Sequence, residues 1–212
     1  MIVLFAESKF WDTRQEFKAR YESKIRRAAA AASKLLPNAP KDITFLVQAN
    51  NLHDVIPEYG SGAYTSNSRL ILLTIDPGLP YGEEKQLEYV RHAVFHEMSH
   101  ASRFEQGLFH PDFLDRCVLE GLATVFERDK GGAEPLYGDY EPEECKVWID
   151  EIEAEYTEDK HYEYMFRHRD GRRWIGYKVG TWIVDEAIRK SGKSIEELTR
   201  SESAEIRQLA GL

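Results

Sequence analysis

Apolar residues recur at helical spacing along most of this chain, with breaks at prolines and glycines. Leu87, Val90, Val94, Met98 and Ala101 form one stripe through a predicted helix from Glu83 to Phe104. Pro80 and Gly82 mark its start, Glu83 and Glu84 suit the positive end of its dipole, and Gly107 and Pro111 close it. A second helical pattern follows in Phe113, Leu114, Cys117, Val118, Leu122, Val125 and Phe126. Upstream, Ile2 to Ala6 reads as a short strand. Asp12 to Glu16 can cap a helix that runs through Lys34 and ends before Pro37 and Pro40. Its five consecutive alanines, Ala28 to Ala32, read as a closely packed helix surface. Ile43 to Val47 reads as a buried strand, and Gly60 to Thr65 with Arg69 to Ile75 as a strand pair around Ser66-Asn67-Ser68. Beyond Gly131-Gly132 lies a loop rich in Gly, Pro and Tyr. An amphipathic helix with an acidic side follows from Glu143 to Glu155, then a helix from Trp174 to Ile188. Short helices begin near Ser194 and Ser201. No internal repeat or linker interrupts this order.

The first of these helices carries His96-Glu97-Met98-Ser99-His100, an H-E-x-x-H pentad. Four residues make a little over one helical turn, so both imidazoles project from one face, roughly opposite the apolar stripe. The helix can then bury one side in a core and offer the histidines to a cleft. That spacing lets both reach one tetrahedral Zn²⁺, with Glu97 placed to take a proton from an activated water. A catalytic zinc needs a third protein ligand. Glu120, on the next helix, is either that ligand or a solvated residue. Gly121 beside it costs the helix about 1 kcal/mol against alanine, which is easier to understand if another backbone approaches closely there.

An H-E-x-x-H helix followed by a helix carrying Glu120-Gly121-Leu122-Ala123 resembles the gluzincin branch of the zincin metallopeptidases. More narrowly, the chain is similar to an uncharacterised bacterial family of predicted zinc-dependent proteases. The resemblance is strongest from about Gly60 onward and includes Gly176-Tyr177-Lys178-Val179-Gly180. It implies a single zincin-like α+β domain over residues 1–212: a small mixed sheet packed on the active-site helix, and a mostly helical C-terminal part from about residue 131. It also implies that His96, His100 and Glu120 bind Zn²⁺ and that Glu97 is the catalytic base. One departure stands out. Many gluzincins place an Asp four residues after the ligand Glu to orient a zinc-bound histidine, and this chain has Thr124 there. The orienting group must come from elsewhere, for example Asp115 or Glu127. Tyr177 is a candidate donor to the oxyanion, because a phenol donates a hydrogen bond without carrying charge; a tyrosine that merely packs, in a core helix with small residues at a crossing, is the other reading.

Composition narrows the remaining choices. With 212 residues and 42% hydrophobic content the chain suits one domain with a real core, or one plus a small appendage. A formal charge of −9 argues against nucleic acid as a partner. Cys117 and Cys145 make no framework and read as buried, reduced thiols. The apolar start, Met1 to Phe5, is too short for a signal peptide and lacks a basic flank, and no run approaches a membrane span. The expectation is a soluble cytoplasmic protein. Gly62 to Thr65 reads either as a cleft-lining edge strand, which would take a peptide or unfolded segment as substrate by backbone pairing, or as an internal hairpin. The competing class is a zincin-like zinc protein that binds such a segment without cutting it; an intact Glu97 weighs against it. His92 shares the face of His96, but pairing the two would put Ala93 where the base is needed. His53 and His110 fall in predicted loops. His161, His168 and Arg169 lie in a polar, aromatic stretch where a cleft wall could form.

Overall fold

Five aromatic rings gather where the chain first folds back on itself. Phe5 ends strand β1 (Ile2–Phe5), Phe10 and Trp11 lie in the short helix α1 (Lys9–Asp12), and Phe17 and Tyr21 face them from α2 (Gln15–Leu35). The structure, a computed structural model, describes residues 1–50, 55–108 and 112–212. Those residues divide into two compact units. One comprises Met1–Gly107 with Lys130–Gly132; the other comprises Leu108–Asp129 with Ala133–Leu212.

The first unit contains one four-stranded sheet in the order β1-β2-β4-β3, with β2 at Thr44–Ala49, β3 at Ser61–Asn67 and β4 at Leu70–Ile75. β1, β2 and β4 run parallel, pairing Ile2 with Thr44 and Thr44 with Leu70; β3 runs antiparallel to β4. Gly62 to Thr65 lies in β3, which stands at the edge of the sheet and forms a hairpin with β4. The two residues joining β3 to β4, Ser68 and Arg69, lack the positive φ that tight hairpin turns require, and a bulge between Thr65 and Asn67 takes up the mismatch in twist. Helix α3 (Glu83–Glu105) lies against β3 and β4 and packs on α2. Its start is held by ion pairs from Arg20 to Glu83 and Glu84 and from Lys24 to Glu88. Leu87, Val90, Val94, Met98 and Ala101 are all buried, as their periodicity predicts. Of the alanine run on α2, Ala28, Ala29 and Ala32 are buried while Ala30 and Ala31 are exposed.

The second unit is helical. It holds α4 (Phe113–Gly131) up to Asp129, α5 (Pro142–Glu155), α6 (His161–Met165), α7 (Ile175–Ser191), α8 (Ile195–Leu198) and α9 (Ser203–Ala210). α5, α6 and α9 all pack on α7. Ser194 and Glu197 form a capping box at α8. α7 starts one residue later than the periodicity suggests, because Trp174 adopts a left-handed conformation (φ 62°) and caps the helix instead of entering it. α4 crosses α7 at paired glycines. A Cβ on Gly121 would meet the Gly180 carbonyl at 2.1 Å, and one on Gly180 would meet the Cys117 oxygen at 1.7 Å. The close approach expected at Gly121 is therefore present, and α7 makes it. Cys117 and Cys145 are both buried and free. The fold class is α+β, with a small mixed sheet against the helix that carries the pentad and a helical second half. Among the described residues, no helix is long and apolar enough to cross a membrane.

Candidate metal centre

On α3, every residue from Val94 to Arg103 is buried, so the pentad sits where the helix is covered all round. His96 and His100 follow one another on a single face, with ring centroids 4.8 Å apart and planes at 74°. Glu97 lies one step round the helix and is buried as well. Its carboxylate Oε2 accepts a 2.6 Å hydrogen bond from the Thr65 hydroxyl on β3, which also lies 3.0 Å from the Glu97 carbonyl oxygen. Nothing in the periodicity announces Thr65. The signal that could have found it is its place in the strand pair just before the active helix, on the side that alternation turns inward.

On α4, Glu120 is half-buried, one residue before the glycine at the α7 crossing. Thr124, which replaces the expected Asp, turns its hydroxyl back to the Glu120 carbonyl at 2.8 Å. The two candidates for an orienting carboxylate have other contacts: Glu127 accepts from the Tyr137 hydroxyl at 2.5 Å, and Asp115 pairs with Arg207 at 3.2 Å. His161 lies near Glu120. The Arg116 guanidinium approaches His161 Nδ1 at 3.2 Å and Glu158 at 2.8 Å. A guanidinium only donates, so Nδ1 accepts and the ring proton sits on Nε2. Burial, then the Arg116 charge, lowers the His161 pKa, while Glu158 and Glu120 pull against them. The imidazole is thus held as a neutral donor.

His96, His100 and Glu120 are a group able to hold a metal ion, with one ligand atom from each and all three within 4.8 Å of one another. Two imidazoles and one carboxylate are also the donor chemistry of catalytic zinc, with a fourth position left open. Tyr177 sits half-buried on α7 among the rings of Tyr137, Trp174 and Phe166. His168 is buried in a different setting, beside Asp170 at 2.9 Å and Arg172 at 3.2 Å. Arg169 is exposed and His92 half-buried. His53 and His110 lie outside the described residues.

Comparison with known proteins yields one family. Residues 21–208 match the model of the family described as "Predicted Zn-dependent protease (DUF2268)". No curated protein and no solved structure is similar enough to match. A match over that much of the chain, covering α3, α4 and α7 alike, means that the protein belongs to this family of predicted Zn-dependent proteases.

Proposed function

We propose that the protein is a zinc peptidase of the gluzincin kind, with His96, His100 and Glu120 as metal ligands and Glu97 as general base. The observation that carries this reading is Glu97 itself: an intact carboxylate, buried one step round the helix from the two histidines and held by Thr65. A purely structural zinc site needs no such base. Zinc, when bound, supplies a Lewis acid that brings the pKa of water toward ~7 and polarises a carbonyl. Glu97 then takes the proton from the attacking water and returns it to the departing amine. Tyr177 on α7 is the proposed donor to the oxygen on which charge develops.

The substrate we propose is an extended peptide or an unfolded protein segment. β3 stands at the sheet edge, with small residues at Gly62 and Ala63, so a strand can approach closely and pair along it. The two buried free thiols fit a reducing, cytoplasmic setting. Metal analysis coupled to a peptide-library digest tests the whole reading. The wild type is expected to carry about one Zn²⁺ per chain and to cut peptides. His100→Ala should lose stoichiometric zinc and Glu120→Ala should bind it much more weakly. Glu97→Gln should keep both zinc and fold while hydrolysis drops by several orders of magnitude. Full zinc in both ligand variants would remove the metal assignment. Equal inertness of wild type and Glu97→Gln, with both capturing one partner, would make the protein a binding module instead.

A further inference from the structure

We infer that Thr65 is a positioning residue for the general base: its hydroxyl fixes which oxygen of Glu97 is presented to the reacting water. The inference rests on the peptidase reading above and extends it to a residue outside the pentad. Three observations carry it. The Thr65 Oγ1 to Glu97 Oε2 distance is 2.6 Å, in the range of a charge-assisted O–H···O⁻ bond. Both residues are buried, Thr65 to 4% and Glu97 to 5% exposure, so water competes little for either group. The bond also joins two separate elements, the edge strand β3 and helix α3, which lie against each other.

The local backbone explains how a strand residue comes to face the base. The β-bulge begins at Thr65, and a bulge re-aims the side chains beside it. Beyond it, Ser66 and Asn67 are both exposed, whereas regular alternation would have turned Asn67 to the side Thr65 faces. Thr65 is thus the last inward residue of β3. A hydroxyl has one proton to give, and the shorter contact assigns it to the carboxylate. With Oε2 occupied, Oε1 is the oxygen left to accept a proton. A carboxylate free to turn about its last torsion would spend only part of its time in that pose, and positioning errors of about 1 Å can cost about a hundredfold in rate. The same strand would pair with the substrate backbone, so one element sets the register of the peptide and the angle of the base.

Thr65→Val keeps the branched shape and removes the donor; Thr65→Ser keeps the donor and removes a methyl group. Expected for Thr65→Val is a fall in kcat of about tenfold to a hundredfold, with KM and zinc content unchanged. Thr65→Ser should restore kcat to within about threefold of wild type, and Thr65→Val should cause no further loss in a Glu97→Gln background. A readout independent of activity is the urea unfolding of the metal-free protein. There, Thr65→Val and Glu97→Ala should be clearly non-additive, since either one alone breaks the same bond. Wild-type kcat in Thr65→Val, or a Ser variant as slow as the Val variant, overturns the positioning role. Additive urea midpoints overturn the bond itself. A wild type that cuts no peptide overturns the peptidase reading and takes the catalytic half of this inference with it, while the unfolding cycle still judges the contact.

Discussion

Tyr177 and His161 are the two candidates for the proposed oxyanion donor, and their surroundings differ. Tyr177 packs in an aromatic cluster on α7, whereas His161 has its tautomer set by Arg116 and feels the charge of Glu120. Loss of one well-placed oxyanion donor typically costs about 10²–10³ in kcat. Tyr177→Phe removes one oxygen and little packing. If Tyr177 is the donor, kcat falls at least tenfold with zinc content and melting temperature nearly unchanged. Unchanged turnover in Tyr177→Phe, together with a loss in His161→Ala, transfers the role to the imidazole. At this scale the placement of the two histidines on one face was legible, because it needs only local helical spacing. Thr65 was not legible. Its bond to Glu97 depends on strand register and on the bulge that ends β3, and neither can be read from a threonine in a hairpin.

Helices α4 and α7 owe their crossing to what Gly121 and Gly180 lack. A methyl group on Gly180 would fall 1.7 Å from a backbone oxygen of α4, and neither helix backbone can give way by rotating a side chain. The Arg128 guanidinium adds two hydrogen bonds of 2.8 and 2.9 Å across the same pair of helices, to Asp185. Gly180→Ala is therefore expected to destabilise the protein by about 3 kcal/mol or more, at the upper end for overpacking. For a chain of this length that lowers Tm by about 6–12 °C. Gly192→Ala is a control of a different kind. A Cβ there meets nothing within 4 Å, so its cost comes only from the left-handed backbone at φ 70°. Thermal melts of the two variants check the comparison, and equal melting temperatures would show that the crossing tolerates a side chain. The energetic cost of a mid-helix glycine made the close approach at Gly121 readable in advance, and the two glycines flanking Tyr177 pointed to close packing of their helix against the helices that carry the candidate ligands. The start of α7 was misplaced by one residue because an indole in a left-handed cap obeys tertiary packing, not helical periodicity.

For the molecule as a whole, the family resemblance carried the fold class, and the order of elements agreed with it: one strand, a long helix, three more strands, then helices. The grouping into two compact units was not read from the sequence, although its boundaries fall at Gly107 and at Gly132, beside the breaks already noted at Gly107 and Pro111 and the Gly- and Pro-containing loop after Gly131-Gly132. Strand order was hidden, because apolar runs do not say which strands are neighbours. That order has a consequence in time. β2 is flanked by β1 from far upstream and β4 from downstream, both parallel, so each pairing closes a long loop before it gains a contact. The β3–β4 hairpin closes only two residues and α3 follows directly, so these are expected to form the earliest stable contacts, with β1 docking last. Chevron analysis should then separate two substitutions in the sheet. Ile71→Val in β4 should mainly slow refolding, while Val3→Ala in β1 should mainly accelerate unfolding. The reverse assignment would mean that the N-terminal strand nucleates the sheet. With the expected order, a newly made chain completes the strand that holds Thr65 and the helix that holds the pentad before its own first strand is in place.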